Sequence, residues 1–303
     1  MEDAFVRELF EYVNQCVLYH GKDSAHMKDF LKFLAHLRSD ASVANKILIN
    51  GYAPDATEVR SKEEWEQREV QILYPEKVIH NMVCIDPKEK VYEDRIMYDV
   101  SATDGNPTPF FQYKTAGVFA EWLLRFPPCP IRFLEEHKAG KGKAEYMPEE
   151  QVIEVTHGFV SEIEACHLLL REYAHFFLHE RLRQKNEKIR YDRRNYGVDA
   201  YSVAYTICLR FGAEAPNLEN IQPDGNLPAK DVLFIFTGLD YAIEKVSHQI
   251  ENGPMLRKAA EEKARKEKRQ EEEKRKKEEK ERKENEAKKI DPKEKPLPPE
   301  LRR

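Results

Sequence analysis

The run LLLREYAHFFLHE, Leu168 to Glu180, gathers histidine, glutamate and arginine at helical spacing. Two histidines four residues apart share a helix face and can bind one metal ion. A glutamate beside the first can take a proton from the metal's water. The pattern for that hydrolytic chemistry is His-Glu-x-x-His. Here Glu172 and His175 stand at the Glu and second-His positions, and Arg171 stands at the first. A guanidinium stays cationic and offers zinc no lone pair. Either this helix has lost its metal or it builds the site differently.

Other residues on the helix keep both alternatives open. His179 lies four after His175, and His167 four before Arg171, on the same stripe. A shifted site of His175, His179 and a carboxylate can be drawn. It lacks a base, because Phe176 follows its first histidine. In the original frame Glu172 is the candidate base and His175 a candidate ligand. The competing reading makes Arg171 a fixed cation in the metal's place, paired with a carboxylate so that two helices stay in register. On that reading no cofactor is expected; zinc is expected only if the site is functional.

The elements that must position these residues follow from composition and period. The chain has 303 residues and a net charge of -5. From Pro254 onward there are 20 Lys+Arg against 14 Asp+Glu, a net of +6, which leaves the body at -11. An acidic body disfavours a broad non-specific nucleic-acid surface but leaves room for a local patch. Five dispersed cysteines without a CxxC pair read as reduced thiols. With no apolar run near the ~20 residues of a bilayer span and no secretory pattern at the start, a cytoplasmic location without membrane contact is expected.

Apolar spacing predicts helices over 4–20, 25–37 and 42–50, the last closed by Gly51, and a short one over 61–68 around Trp65. VQILYP, VIHNMVCID and IMYDVSAT read as strands of a small antiparallel sheet. A helix over 116–125 stops at PPCP. IRFLEE and EYMPEEQVIEV follow, with turn residues near Gly140 and Gly142, and the second reads as a hairpin or edge strand. Helices follow over 161–182, with Ser161 and Glu164 as a capping box, over 197–211 and over 228–250. Past Gly253-Pro254 the charge mixture reads as a solvated helix with a Pro-rich end. The fold class is α+β, in three parts: 1–112, helices plus an antiparallel sheet; 113–252, mainly helical; and 253–303, a charged tail.

Two regions together resemble a known architecture. ANKILINGYAPDATEVRSKEEWEQ and MYDVSATDGNP resemble the N-terminal domain of ArdC-like antirestriction and LtrC-like proteins of conjugative elements. The matching residues are Pro54, Ala56, Thr57, Trp65, Tyr98, Asp99, Val100, Ser101, Thr103 and Gly105. EYMPEEQVIEVTHGF, LLLREYAHFFLH and DAYSVAYTICLRFG resemble the zincin-like domain that follows in those proteins and is shared with ImmA/IrrE-type proteins. The resemblance implies single-stranded DNA binding for the first domain and a zinc site in the second, whose third ligand, a glutamate, falls at Asp199. Arg171 then has Glu172 or Asp199 as a partner.

Arg60, Lys62, Arg68 and Lys77 are the candidate phosphate contacts, and Trp65 with neighbouring aromatics the candidate stacking platform. KIRYDRRNYG, 188–197, is read as a loop that reaches a nucleic acid, covers the cleft or simply links two helices. The leading functional reading is a non-catalytic, DNA-associated protein of a mobile genetic element. One alternative is a zinc-dependent metallopeptidase with an altered ligand set. A second is a protein-interaction scaffold using the charged tail.

Overall fold

Residues 4–134, 144–156, 159, 161–218 and 223–289 are described by the structure, a computed structural model. The turns near Gly140 and Gly142 and the Pro-rich end lie outside the described residues. Three helices open the chain: α1 (Ala4–His20), α2 (Ser24–His36) and α3 (Val43–Tyr52). Asp23 caps α2 by accepting from the amides of Ala25 and His26, and Ser42 caps α3 through Asn45. Gly51 does not close α3 as the sequence suggests. The helix runs through it, and its missing side chain makes room for Tyr12, whose hydroxyl would lie 2.5 Å from a Cβ there.

The first sheet joins β1 (Val59–Ser61), β2 (Ile79–Asp86) and β3 (Val91–Asp99) in the antiparallel order β1-β3-β2, with α4 (Lys62–Glu66) after β1. β2 is an edge strand. The amide side chain of Asn45 covers that edge as a neighbouring strand would. It donates to the Met82 carbonyl at 2.9 Å and accepts the Met82 amide at 2.8 Å. The expected strand VQILYP is a loop, with only an isolated bridge from Ile72 to Thr103. Its Val70 and Ile72 pack on a small cluster of Trp65, Tyr98, Val100 and Ala102, so their apolar character serves burial without a ladder. IMYDVSAT leaves the sheet at Asp99 for a similarly local reason. The buried Asp99 carboxylate accepts from the amides of Thr57 at 2.9 Å, Glu58 at 3.2 Å and Ser101 at 2.9 Å, and so turns the chain into a 3₁₀ segment.

After α5 (Ala116–Arg125) a second sheet has the order β4-β6-β5. β5 (Ala144–Met147) and β6 (Val152–Thr156) pair antiparallel, while β4 (Ile131–Leu134) lies parallel to β6. Helices α6 (Glu162–Lys185), α7 (Gly197–Arg210) and α8 (Ala229–Lys289) complete an α+β fold. One hydrophobic core joins Leu9, Phe30, Leu34 and Ile47 of the first helices to Leu169, Val203, Phe236 and Ile243 of the last three. Buried charges are held across it: Lys46 meets Asp240 at 2.7 Å, and Arg210 donates to the Leu34 carbonyl at 2.6 Å and to Ser247 at 2.8 Å. Among the described residues, no helix is long and apolar enough to cross a membrane.

Residues Met1–Glu251 form one compact unit and Asn252–Arg303 a second. The boundary expected between residues 112 and 113 lies within the first unit. α8 does not stop near Ile250 as the sequence suggests; it continues through Pro254. A proline inside a helix leaves the carbonyl four residues back without its donor. Here that carbonyl belongs to Ile250, and the Trp122 indole N–H donates to it at 3.0 Å. A tertiary hydrogen bond thus replaces the one the ring removes.

Candidate functional site

α6 is capped at Ser161, whose hydroxyl accepts the Glu164 amide at 3.1 Å. Glu172, His175 and His179 all fall on its buried side. Polar groups in that position destabilise the fold unless each finds partners, and each of these does. Glu172 is 0% exposed. Its carboxylate accepts from Arg171 Nε at 3.0 Å, Arg193 Nη2 at 2.5 Å and the Tyr146 amide of β5 at 2.7 Å. The other end of the Arg193 guanidinium meets Glu145 at 2.6 Å.

The two histidines are held by tyrosines. His175 Nδ1 hydrogen-bonds the Tyr191 hydroxyl at 2.8 Å, and His179 Nδ1 the Tyr146 hydroxyl at 2.9 Å. The Tyr191 ring stacks on His179 at 4.9 Å and on Tyr196 at 4.9 Å, and it is 7% exposed. The segment between α6 and α7 therefore enters the cleft, with Tyr191 against the histidines and Arg193 against Glu172.

Burial sets the electrostatics. It pushes the Glu172 carboxyl up, against the pull of the Arg193 and Arg171 guanidiniums. It drives His175 well below its ordinary value, and the same two cations push further in that direction, so the ring is neutral. His179 is lowered by burial and by Arg183. Asp199, in the first turn of α7, is raised by burial to about 6, opposed by Arg181. Of the two partners proposed for Arg171, Glu172 is the one it meets; no ion pair joins Arg171 to Asp199 among the described residues.

These residues do not fit a zinc ion. Among the described residues, no three of the His, Cys, Asp or Glu side chains converge as metal ligands. At Glu172 two guanidiniums and two carboxylates already balance in charge. A dication there would meet two fixed positive groups at close range. Glu172 is also poorly placed as a base, because three donors occupy a carboxylate with about four acceptor sites, and none of its surface meets solvent.

The N-terminal candidates are mostly engaged elsewhere. Glu58 is 1% exposed and gathers Arg60 Nε at 2.8 Å, Arg68 Nη1 at 2.9 Å and the Thr108 amide at 2.8 Å. Burial alone would raise the Glu58 carboxyl; the Thr108 amide and Arg60 outweigh it and hold it low. Trp65 is 1% exposed, and its indole N–H donates to the Tyr98 carbonyl at 3.0 Å, so a base has no access to its face. Lys62 lies on the surface 3.7 Å from Glu66, and Lys77 lies over the Tyr74 ring at 4.7 Å. The structure thus brings Arg171, Glu172, His175 and His179 into one buried network and gathers Arg60 and Arg68 at Glu58.

Sequence reasoning missed Glu58, Glu145, Tyr146, Tyr191 and Arg193 as parts of these networks. The only signal for the last two was the basic, aromatic character of KIRYDRRNYG. Of its three readings, covering the cleft describes Tyr191 and Arg193.

The arrangement defines an α+β fold whose helix in the His-Glu-x-x-His frame is closed by ion pairs. No family model and no curated protein matches the chain. Among solved structures, it is similar to the antirestriction ArdC protein from the R388 plasmid in its Mn(II)-bound form, at 12% identity over 83% of this chain and 98% of that one, with a TM-score of 0.43. The metal-free form of that protein is 13% identical over 71% of this chain and 85% of that one, with a TM-score of 0.40.

Proposed function

We propose that the chain is a non-catalytic, nucleic-acid-associated protein in which a hydrolase-type helix has become part of the structural framework. One observation carries the first half of this reading. Glu172, the residue that would act as base, is sealed from solvent by Arg171, Arg193 and the Tyr146 amide. A general base must reach the proton it removes, directly or through one water. This carboxylate instead neutralises two cations and ties α6 to β5 and to the α6–α7 segment.

Two features support the nucleic-acid half. The first is the resemblance, over roughly 40 to 250, to proteins carried by conjugative elements, which implies single-stranded DNA as partner. The second is a local excess of exposed cations on an acidic body. The reading needs no cofactor; a protein partner through the charged tail is a further expectation. The test is fluorescence anisotropy of a labelled single-stranded oligonucleotide at rising salt. The expected result is micromolar binding that weakens as salt increases. Absence of binding at low salt would leave a protein-interaction scaffold as the surviving alternative.

A further inference from the structure

The cations that sequence reasoning offered to phosphate are largely committed, Arg60 and Arg68 to Glu58 and Lys62 to Glu66. A different surface has cations to spare. Residues 181–194 hold seven basic side chains against two acidic ones, a net of +5 on a body that is otherwise negative. Asp192 is engaged with Arg194. Arg181, Lys185, Lys188 and Arg190 make no salt bridge among the described residues, and Lys185, Lys188 and Arg190 are exposed.

The last turns of α6 lie beside the first turns of α8, and an exposed aromatic ring stands at the seam. Phe234 is 46% exposed. Arg181 lies over its ring at 4.8 Å and Lys185 at 4.7 Å. The seam is fixed rather than adventitious. Gln184 donates to the Tyr241 hydroxyl at 3.0 Å, and that hydroxyl donates to Glu180 at 3.1 Å. Gly238 faces the same seam: a Cβ there would come within 3.1 Å of Arg181 Nη1 and 3.7 Å of Leu178 Cδ2.

An exposed aromatic ring flanked by two cations puts an apolar stacking surface beside positive charge. The chemistry that complements both features at once is a polyanion bearing flat, unpaired aromatic groups. Phosphates satisfy Lys185, Lys188 and Arg190, and a base stacks on Phe234. A duplex fits less well, because its bases already stack on one another.

We propose that the surface formed by the end of α6, the segment after it and Phe234 of α8 is the contact face for single-stranded nucleic acid. This rests on the nucleic-acid reading above and moves its contact face from residues 60–77 to residues 181–190 and 234.

Anisotropy with labelled oligo-dT tests it in the full chain, using wild type, Phe234→Ala, Phe234→Tyr, Lys188→Gln with Arg190→Gln, and Arg60→Gln as the control. Phe234→Ala weakens binding about tenfold without changing the salt dependence, and Phe234→Tyr restores it. The double charge variant flattens the log–log salt slope by about 1.4, the value for two phosphate contacts on a single strand. The Arg60 variant binds as wild type does. If wild type binds and the Phe234 and Lys188/Arg190 variants match it, this surface is refuted while the nucleic-acid reading stands. If wild type does not bind oligo-dT at all, both are refuted. Equal displacement of the oligonucleotide by polyglutamate, with Phe234→Ala unaffected, would also overturn the assignment in favour of an acidic protein partner.

Discussion

Arg193 reaches Glu172 from outside α6, its Nη2 standing 2.5 Å from Glu172 Oε2 while Nη1 holds Glu145. One guanidinium therefore joins α6, β5 and the segment leading to α7. A planar guanidinium that bridges two carboxylates fixes their relative position as well as balancing their charge.

The first prediction concerns that junction. Glu172→Gln keeps the shape but leaves Arg171 and Arg193 without their shared counter-charge. Breaking a fully buried pair costs about 3–5 kcal/mol. Both guanidiniums are partly exposed, so screening reduces the expected loss to about 2–3 kcal/mol. Urea unfolding measures it. A glutamate kept only as a catalytic base predicts the opposite, a variant at least as stable as wild type.

Acid dependence supplies the second. His175 is buried and neutral, with its folded value well below the unfolded value near 6.5. The unfolded chain therefore takes up the proton first. Stability is fully present above about pH 6.5 and declines below it, by up to about 1.4 kcal/mol per pH unit for this group. Asp199 acts in the reverse sense: its carboxyl, raised to about 6, favours the folded state at lower pH and loses that contribution as pH rises through 6. The readout is accordingly wild type minus His175→Gln between pH 7 and pH 5. A flat difference would show that the imidazole is not held neutral by its surroundings.

Glu58 yields the third. Its lowered carboxyl contributes stability above the unfolded value of about 4.3, and that contribution is lost as pH falls toward the folded value. Glu58→Gln releases Arg60 and Arg68 and should lower the unfolding free energy at pH 7 by about 2 kcal/mol. Oligonucleotide affinity should change less than twofold. A large change in affinity with stability intact would return these arginines to the role of phosphate contacts.

The fourth uses Trp122. Trp122→Phe leaves the Ile250 carbonyl with no donor from Trp122 and none from Pro254. The expected loss is about 1–2 kcal/mol. Pro254→Ala supplies a backbone N–H for the same carbonyl, so the Trp122 substitution should cost less in that background. Equal costs in both backgrounds would break the link between the two residues.

Much of the helical framework was legible from period: α1, α2, α5 and α7 fall close to where apolar spacing puts them. The sheet was harder to read. Val70 and Ile72 look like strand residues because they are apolar and β-branched, yet they serve a local cluster around Trp65. β1 has only three residues, too few for a period to register. Pro254 suggested a helix end because the hydrogen bond that replaces its own comes from a tryptophan 128 residues away in sequence.

At the candidate site the alignment of Arg171, Glu172 and His175 on α6 was legible because all three lie on one helix. Arg193 was not, since its partner Glu172 lies 21 residues earlier in sequence and no local spacing links the two. Asp99 and Thr103 stood out in the sequence only as motif residues, and Asn45 did not stand out at all. In the fold they satisfy backbone groups of Met82, Thr57, Glu58, Ser101, Val100 and Gly105.

The most direct test of the account is elemental analysis of the purified wild-type chain after incubation with zinc and removal of the excess. Two guanidiniums fixed at Glu172 predict a zinc content far below one ion per chain, unchanged in His175→Ala. One tightly held ion per chain, lost when His175 is replaced, would contradict it.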